Sequence, residues 1–133
     1  MPPSNGNPAV SQNVQAFHNV LRRMLAVDPK ISDLIFSPGR PPQVELTGDL
    51  QGVPIQGLER LTPPQIKAMA DLMLLGNEQG SETLEKKGSA DISYSVNGLC
   101  RFRVNIFRQR GTYAIVMRVI PTTPPDWREL NLP

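Results

Sequence analysis

Leu99–Ile120, LCRFRVNIFRQRGTYAIVMRVI, is the longest stretch of the chain in which apolar and polar residues alternate with period two. Such alternation marks strands with one buried and one solvated face. Arg110-Gly111 interrupts it midway, so the stretch predicts an antiparallel hairpin. Pairing outward from that turn sets Ile106 opposite Ile115, Val104 opposite Met117 and Phe102 opposite Val119. That face is wholly apolar and is predicted to be core. The same register sets Arg103 directly opposite Arg118 on the other face, with Arg101 one step along on the same side. Directly opposed like charges cost from a few tenths to about 1 kcal/mol. A negative group is therefore expected between them.

The strand before the hairpin is Ala90–Val96, ADISYSV, and Asn97-Gly98 turns it. A two-residue turn would set Ser93 against Phe102 and Asp91 against Val104. A three-residue loop, Asn97-Gly98-Leu99, sets Ile92 against Val104, Tyr94 against Phe102 and Val96 against Cys100. A slip of one residue exchanges the two faces completely. The apolar match selects the three-residue loop.

Working outward, Val14, Phe17, Leu21 and Leu25 recur at helical spacing, with Met24 beside the stripe. They predict a helix over about 11–27, ended by Asp28-Pro29. His18, Arg22 and Arg23 lie off the stripe and are expected on its solvated side. Strands are expected at Ile31–Ser37, Gln43–Thr47 and Leu50–Val53. Thr62-Pro63-Pro64 is a strong helix start, because the prolines fall where the first turn needs no donor. Ile66, Met69, Ala70 and Met73 form the buried stripe of that helix. A weaker amphipathic helix follows at about 78–87 and stops at Gly88. Asp126–Leu130 is expected to form one helical turn. Helices mixed with antiparallel strands make the fold class α+β.

At 133 residues the chain is most simply one domain, and 39% hydrophobic against 20% charged residues describe a globular one. The formal net charge of +2 implies no polybasic nucleic-acid surface. The single cysteine, Cys100, and the single histidine, His18, exclude an internal disulfide and an all-protein zinc cluster. Cys100 falls on the apolar side of the hairpin and is expected as a buried structural thiol. The N-terminus lacks the apolar core of a secretory signal, and no apolar run approaches the roughly 20 residues that cross a bilayer. The expected location is cytoplasmic.

No G-x-x-x-x-G-K-[ST], G-x-S-x-G or H-E-x-x-H pattern occurs. No catalytic residue and no metal ligand is assigned, and independent catalysis by this chain is not expected. The chemistry it offers is the opposed arginine pair. Carboxylates of the same chain can neutralise it, with Asp91, diagonal to Arg103, as the candidate. Alternatively, a phosphate or a partner carboxylate is held by two guanidinium forks, the geometry that arginine suits.

Ser32-Asp33-Leu34, Gly39-x-Pro41-Pro42, Gly48-Asp49-Leu50, Arg101-Phe102-Arg103-Val104-Asn105-x-Phe107, Gln109-Arg110-Gly111 and Arg118-x-Ile120-Pro121 occur in this order. Together they resemble the N-terminal domain of PilT-like type IV pilus retraction ATPases, within the wider secretion-motor ATPases. The resemblance runs from about Val10 to Pro133. The chain departs from it at Ile35, where the family often has histidine, and at Glu45, where it often has arginine. The resemblance implies a PAS-like domain, an antiparallel sheet with flanking helices, over 10–120. A disordered tail at 1–9 would precede it, and a linker at 121–133 would lead to a RecA-like ATPase domain. It implies a homo-hexamer in which this domain packs on the ATPase domain of a neighbouring subunit. ATP and Mg would belong to the parent protein and neither to this chain alone. The motor would lie at the inner membrane through the pilus platform, serving twitching motility. Arg103 and Arg118 carry over as nucleotide-phosphate contacts, with Arg101 and Arg110 as weaker candidates. The alternative reading is a stand-alone PAS-like adaptor or sensory module.

Overall fold

A computed structural model describes residues 8–121 of the chain, and side chains from residue 11. Nearly all of the expected tail and linker, and the expected helical turn at 126–130, lie outside the described residues. The elements in chain order are α1 (Pro8–Leu25), β1 (Ile31–Phe36), β2 (Gln43–Leu46), β3 (Asp49–Gly52), α2 (Pro63–Met73), α3 (Glu78–Lys87), β4 (Ser89–Val96), β5 (Cys100–Gln109) and β6 (Thr112–Ile120). The six strands form one antiparallel sheet of order β3-β2-β1-β6-β5-β4. The fold is α+β, as expected, with three helices against the sheet.

Both registers in the C-terminal half are those the apolar match selects. Val96 pairs with Cys100 across the three-residue loop, and Ile92 pairs with Val104. Across the second turn, Ile106 pairs with Ile115 and Arg103 with Arg118. Phe102, Val104, Ile106, Ile115 and Met117 are fully buried and belong to the hydrophobic core. Cys100 is half-buried rather than buried, since β5 begins at the rim of the core, and partial burial still pushes its thiol pKa up.

All three helices cover this apolar face. The Phe17 ring of α1 lies 6.2 Å from both Phe36 and Tyr94. Lys67 of α2 sits over the Tyr113 ring of β6. The Arg108 guanidinium reaches the Glu85 carbonyl of α3. Helix α2 starts in a full capping box: Thr62 Oγ1 accepts from the Gln65 amide at 3.3 Å, and Gln65 Oε1 accepts from the Thr62 amide at 2.9 Å. Gly88 ends α3 in the left-handed region, as expected.

His18 is not on the solvated side of α1. Its Nε2 lies 2.6 Å from the Tyr94 hydroxyl of β4, within the ring cluster of Phe17 and Tyr94. The stripe read from Phe17 and Leu21 is wider than its aliphatic members, because α1 crosses the end of the sheet where Tyr94 stands. Burial lowers the His18 pKa below 6.5, and Arg22 one turn away lowers it further. A group harder to protonate when folded makes acid destabilising. Its contribution is complete above pH 6.5 and is lost as pH falls from there through the lower folded value. The melting temperature is expected to fall between pH 7.5 and pH 5, and His18→Gln should flatten that part of the profile.

Two hairpin turns place a non-glycine residue at positive φ: Thr47 (51°) before Gly48 (89°), and Arg110 (55°) before Gly111 (80°). Two positive φ values match the turn to strand twist, a conformation that favours Asn-Gly. Threonine, branched at Cβ, is the costlier occupant. Thr47→Asn is expected to stabilise the domain by about 1 kcal/mol, read as a raised urea midpoint with unchanged slope.

Candidate functional site

The sheet face away from the helices carries the polar side chains of the hairpin. Register places four ionisable residues in one row across four adjacent strands. Glu45 of β2 pairs with Asp33 of β1, Asp33 with Arg118 of β6, and Arg118 with Arg103 of β5. Ser93 of β4 ends the row. Charges thus run acidic, acidic, basic, basic, with neighbouring side chains about 5 Å apart at Cβ.

Asp33 reaches this face because β1 is irregular. Its pairing with β2 shifts between Ile31 and Asp33, leaving Ser32 as an extra residue. Strict alternation from Ile31 would put Asp33 beneath the helices and Leu34 outside. With the extra residue, Ile31, Leu34 and Phe36 are all buried in the core, and Asp33 faces outward beside Arg118. Bulges re-aim side chains in this way, often next to functional sites.

The two arginines are not equivalent. Arg118 Nε donates to Asp33 Oδ1 at 3.4 Å; the Asp33 side chain is 11% exposed and that of Arg118 71% exposed. Arg103 has no ion pair among the described residues. The expected carboxylate partner, Asp91, takes another role: it pairs with Asn105 across β4 and β5 and accepts a hydrogen bond from Asn105 Nδ2 at 2.8 Å. The negative group expected between Arg103 and Arg118 therefore lies on the far side of Arg118. Nothing near the hairpin in sequence points to Asp33, because β1 meets β6 only through the sheet order, 85 residues apart in the chain.

Arg103, Arg118, Val116, Asn105 and Asp91 line a depression of about 280 Å³. Two guanidinium forks at its rim can hold a phosphate or a carboxylate, each through charge-assisted hydrogen bonds. Arg101, paired with Ile120 and Ser95, lies next to this pair on the same face. Arg110 does not: it occupies the hairpin tip, seven residues along from Arg103 and roughly 23 Å away. Among the described residues no group of three or more His, Cys, Asp or Glu could hold a metal ion. A second concavity, an open groove of about 510 Å³ between α1 and α2, is mainly apolar, with Phe17, Val20, Leu58, Met69, Leu72 and Leu75 in its wall.

An antiparallel sheet covered by helices on one face is an architecture shared with solved secretion ATPases. A crystal structure of the pilus retraction motor PilT with bound ADP superposes with a TM-score of 0.70 at 30% identity, covering 86% of this chain and 32% of that one. The ATPase DotB of Legionella pneumophila superposes with a TM-score of 0.61 at 25% identity, covering 86% of this chain and 32% of that one. Among curated proteins of Pseudomonas aeruginosa, the type IV pilus retraction ATPase PilT is 33% identical over 102 residues, 76% of this chain and 28% of its own length. The type IV pilus ATPase PilU is 32% identical over 117 residues, 88% of this chain and 29% of its own length. No protein-family model matches the chain. The chain belongs to the PilT-like secretion ATPases and corresponds to their N-terminal domain. It spans less than a third of the length of the curated relatives it matches.

Proposed function

We propose that this chain is the subunit-contacting and nucleotide-sensing domain of a hexameric type IV pilus retraction ATPase. Arg103 and Arg118 contact the phosphates of a nucleotide bound by a RecA-like domain of a neighbouring subunit, and so couple its phosphate state to domain rotation. The observation that carries this reading is the adjacent pair itself: Arg103 has no anionic partner among the described residues, and Arg118 leans on Asp33 through Nε alone. Both keep donors free for an external anion.

The residues fit a phosphate, not a whole nucleotide. The chain has no G-x-x-x-x-G-K-[ST] loop, and its described carboxylates form no metal cluster. ATP and Mg would be bound by the ATPase domain, where the metal neutralises charge on the phosphates. This chain would supply only the arginine donors, with Arg101 able to join them. Residues 10–120 form the domain on this reading and 121–133 the linker to the motor. Among the described residues no helix is long and apolar enough to cross a membrane. A cytoplasmic motor held to the inner membrane by the pilus platform is consistent with that.

A second reading, a stand-alone PAS-like adaptor or sensory module, draws on the apolar groove between α1 and α2. A coding sequence that continues into G-x-x-x-x-G-K-[ST] favours the motor, and a stop codon after Pro133 favours the adaptor. The deciding experiment is ATP turnover by the full-length protein carrying Arg103→Ala or Arg118→Ala. A sharp fall with the domain still folded is expected; turnover at the wild-type rate in both variants overturns the reading.

A further inference from the structure

The charged row holds a carboxylate that a simple anion site has no use for. Asp33 is the only buried charged residue among those described. The extra residue at Ser32 is what brings it to the open face, and it directly opposes Arg118. Its contact with Arg118 is single and long, 3.4 Å from Nε. A bidentate pair would be shorter and would occupy the fork. The field of Asp33 on Arg118 is screened mainly from the arginine side, because the carboxylate is largely out of water while the Arg118 side chain is 71% exposed. Asp91, by contrast, is exposed and bonded to Asn105. Glu45, next in the row, is half-buried and extends the negative half of the ladder away from the arginines.

We propose that Asp33 is a resident counter-anion that competes with phosphate for Arg118, and thereby sets how much negative charge a ligand must carry to occupy the site. This rests on the phosphate-contact reading of Arg103 and Arg118 and adds the group that tunes it. A monoanion facing Arg103 and Arg118 meets one guanidinium whose charge Asp33 already partly offsets, and gains less than it would from two uncompensated arginines. A di- or triphosphate carries enough charge to bridge both forks and draw Arg118 away from Asp33. The site therefore discriminates polyphosphate from monoanions by charge, and occupancy releases the Asp33–Arg118 side-chain contact while the backbone pairing of β1 with β6 stays. The bulge gives the row its one nearly buried charge, so the discrimination is built into the backbone rather than left to mobile surface groups.

The test uses this chain, the arginine Nε–Hε NMR signals of Arg103 and Arg118, and pyrophosphate as the probe, with acetate as the monoanion. In the wild-type chain pyrophosphate is expected to shift both arginine signals and the Asp33 carboxyl carbon together, while acetate shifts none. Asp33→Asn keeps a hydrogen-bond acceptor for Nε and removes the charge. It is expected to bind pyrophosphate about fivefold or more tightly and to respond to acetate. If Asp33→Asn binds pyrophosphate no more tightly than wild type while both arginine signals still move, the competition is wrong and the phosphate site stands. If neither arginine moves in either protein, the competition and the phosphate site both fall. The wild-type carboxyl carbon is an independent readout should the variant not fold: a signal unmoved at saturating pyrophosphate overturns the exchange.

Discussion

On the proposed phosphate-contact reading, Arg103→Ala in the full-length protein is expected to lower ATP turnover by about 10- to 100-fold while leaving the melting temperature of the domain nearly unchanged. Removing one donor aimed at developing charge in a closed site costs about 10²–10³-fold. Arg103 would act from a domain surface that stays partly wet, which places its expected effect at or below the lower end of that range. The fall should lie mainly in kcat, because a phosphate contact completed only on closure does not contribute equally to ground-state binding. Its stability is untouched because the side chain is exposed and unpaired among the described residues. Deleting it even relieves the repulsion from Arg118.

The same replacement at Arg118 should separate from Arg103 in stability. Arg118→Ala strands the 11%-exposed Asp33 carboxylate without the partner it has here, a cost of about 1–3 kcal/mol. Arg118→Lys keeps the charge and loses the fork, so it should retain most of the stability and little of the turnover. Arg101→Ala should have a smaller effect on turnover, since Arg101 lies beside the pair and not in its row. Arg110→Ala, at the distant hairpin tip, should act weakly unless a neighbouring subunit approaches that end. Steady-state turnover together with thermal melts of the four variants decides among these outcomes.

Phe102→Ala is expected to be the opposite case: a large loss of stability one residue away from a proposed phosphate contact. The Phe102 side chain is fully buried and pairs with Tyr94 on one side and Val119 on the other. Truncation removes the burial of an aromatic ring and leaves a cavity that a strand held between β6 and β4 cannot close, costing about 3–5 kcal/mol. A domain of this size has about 5–15 kcal/mol in total. The melting temperature should fall by roughly 10–20 °C, scaling from a few degrees per kcal/mol. Calorimetry of the isolated variant checks it, and a shift below about 3 °C would contradict the packing described for β5. Phe102→Leu, which refills most of the volume, should recover a large part of the loss.

The period-two pattern of Leu99–Ile120 is sufficient to determine its own pairing. Ile106 against Ile115, Phe102 against Val119 and Arg103 against Arg118 follow from one turn and one rule, that a slip of a single residue would bury arginines and expose the core. The loop at Asn97-Gly98-Leu99 is legible for the same reason, and so is the capped start of α2 at Thr62. Each of these rests on contacts between residues close in the chain, where alternatives are few and differ by several buried side chains.

What lies beside β6 on its other edge is a different kind of question. Nothing local distinguishes β1 from the other short strands as its neighbour, because strand order is decided by the total packing of the sheet under three helices. Asp33 is legible as a partner of Arg118 only once that order is known. It also requires the bulge at Ser32, which breaks the alternation that period-two reading depends on. His18 differs from its expected place on similar grounds: its partner Tyr94 stands 76 residues away, and a polar ring at the edge of an apolar stripe looks solvated until a tertiary hydroxyl meets it. Local alternation was enough to define a two-faced hairpin and the arginines on its outer side. The anion beside them came from the folded sheet, since opposed like charges announce a missing partner but long-range strand order chooses it.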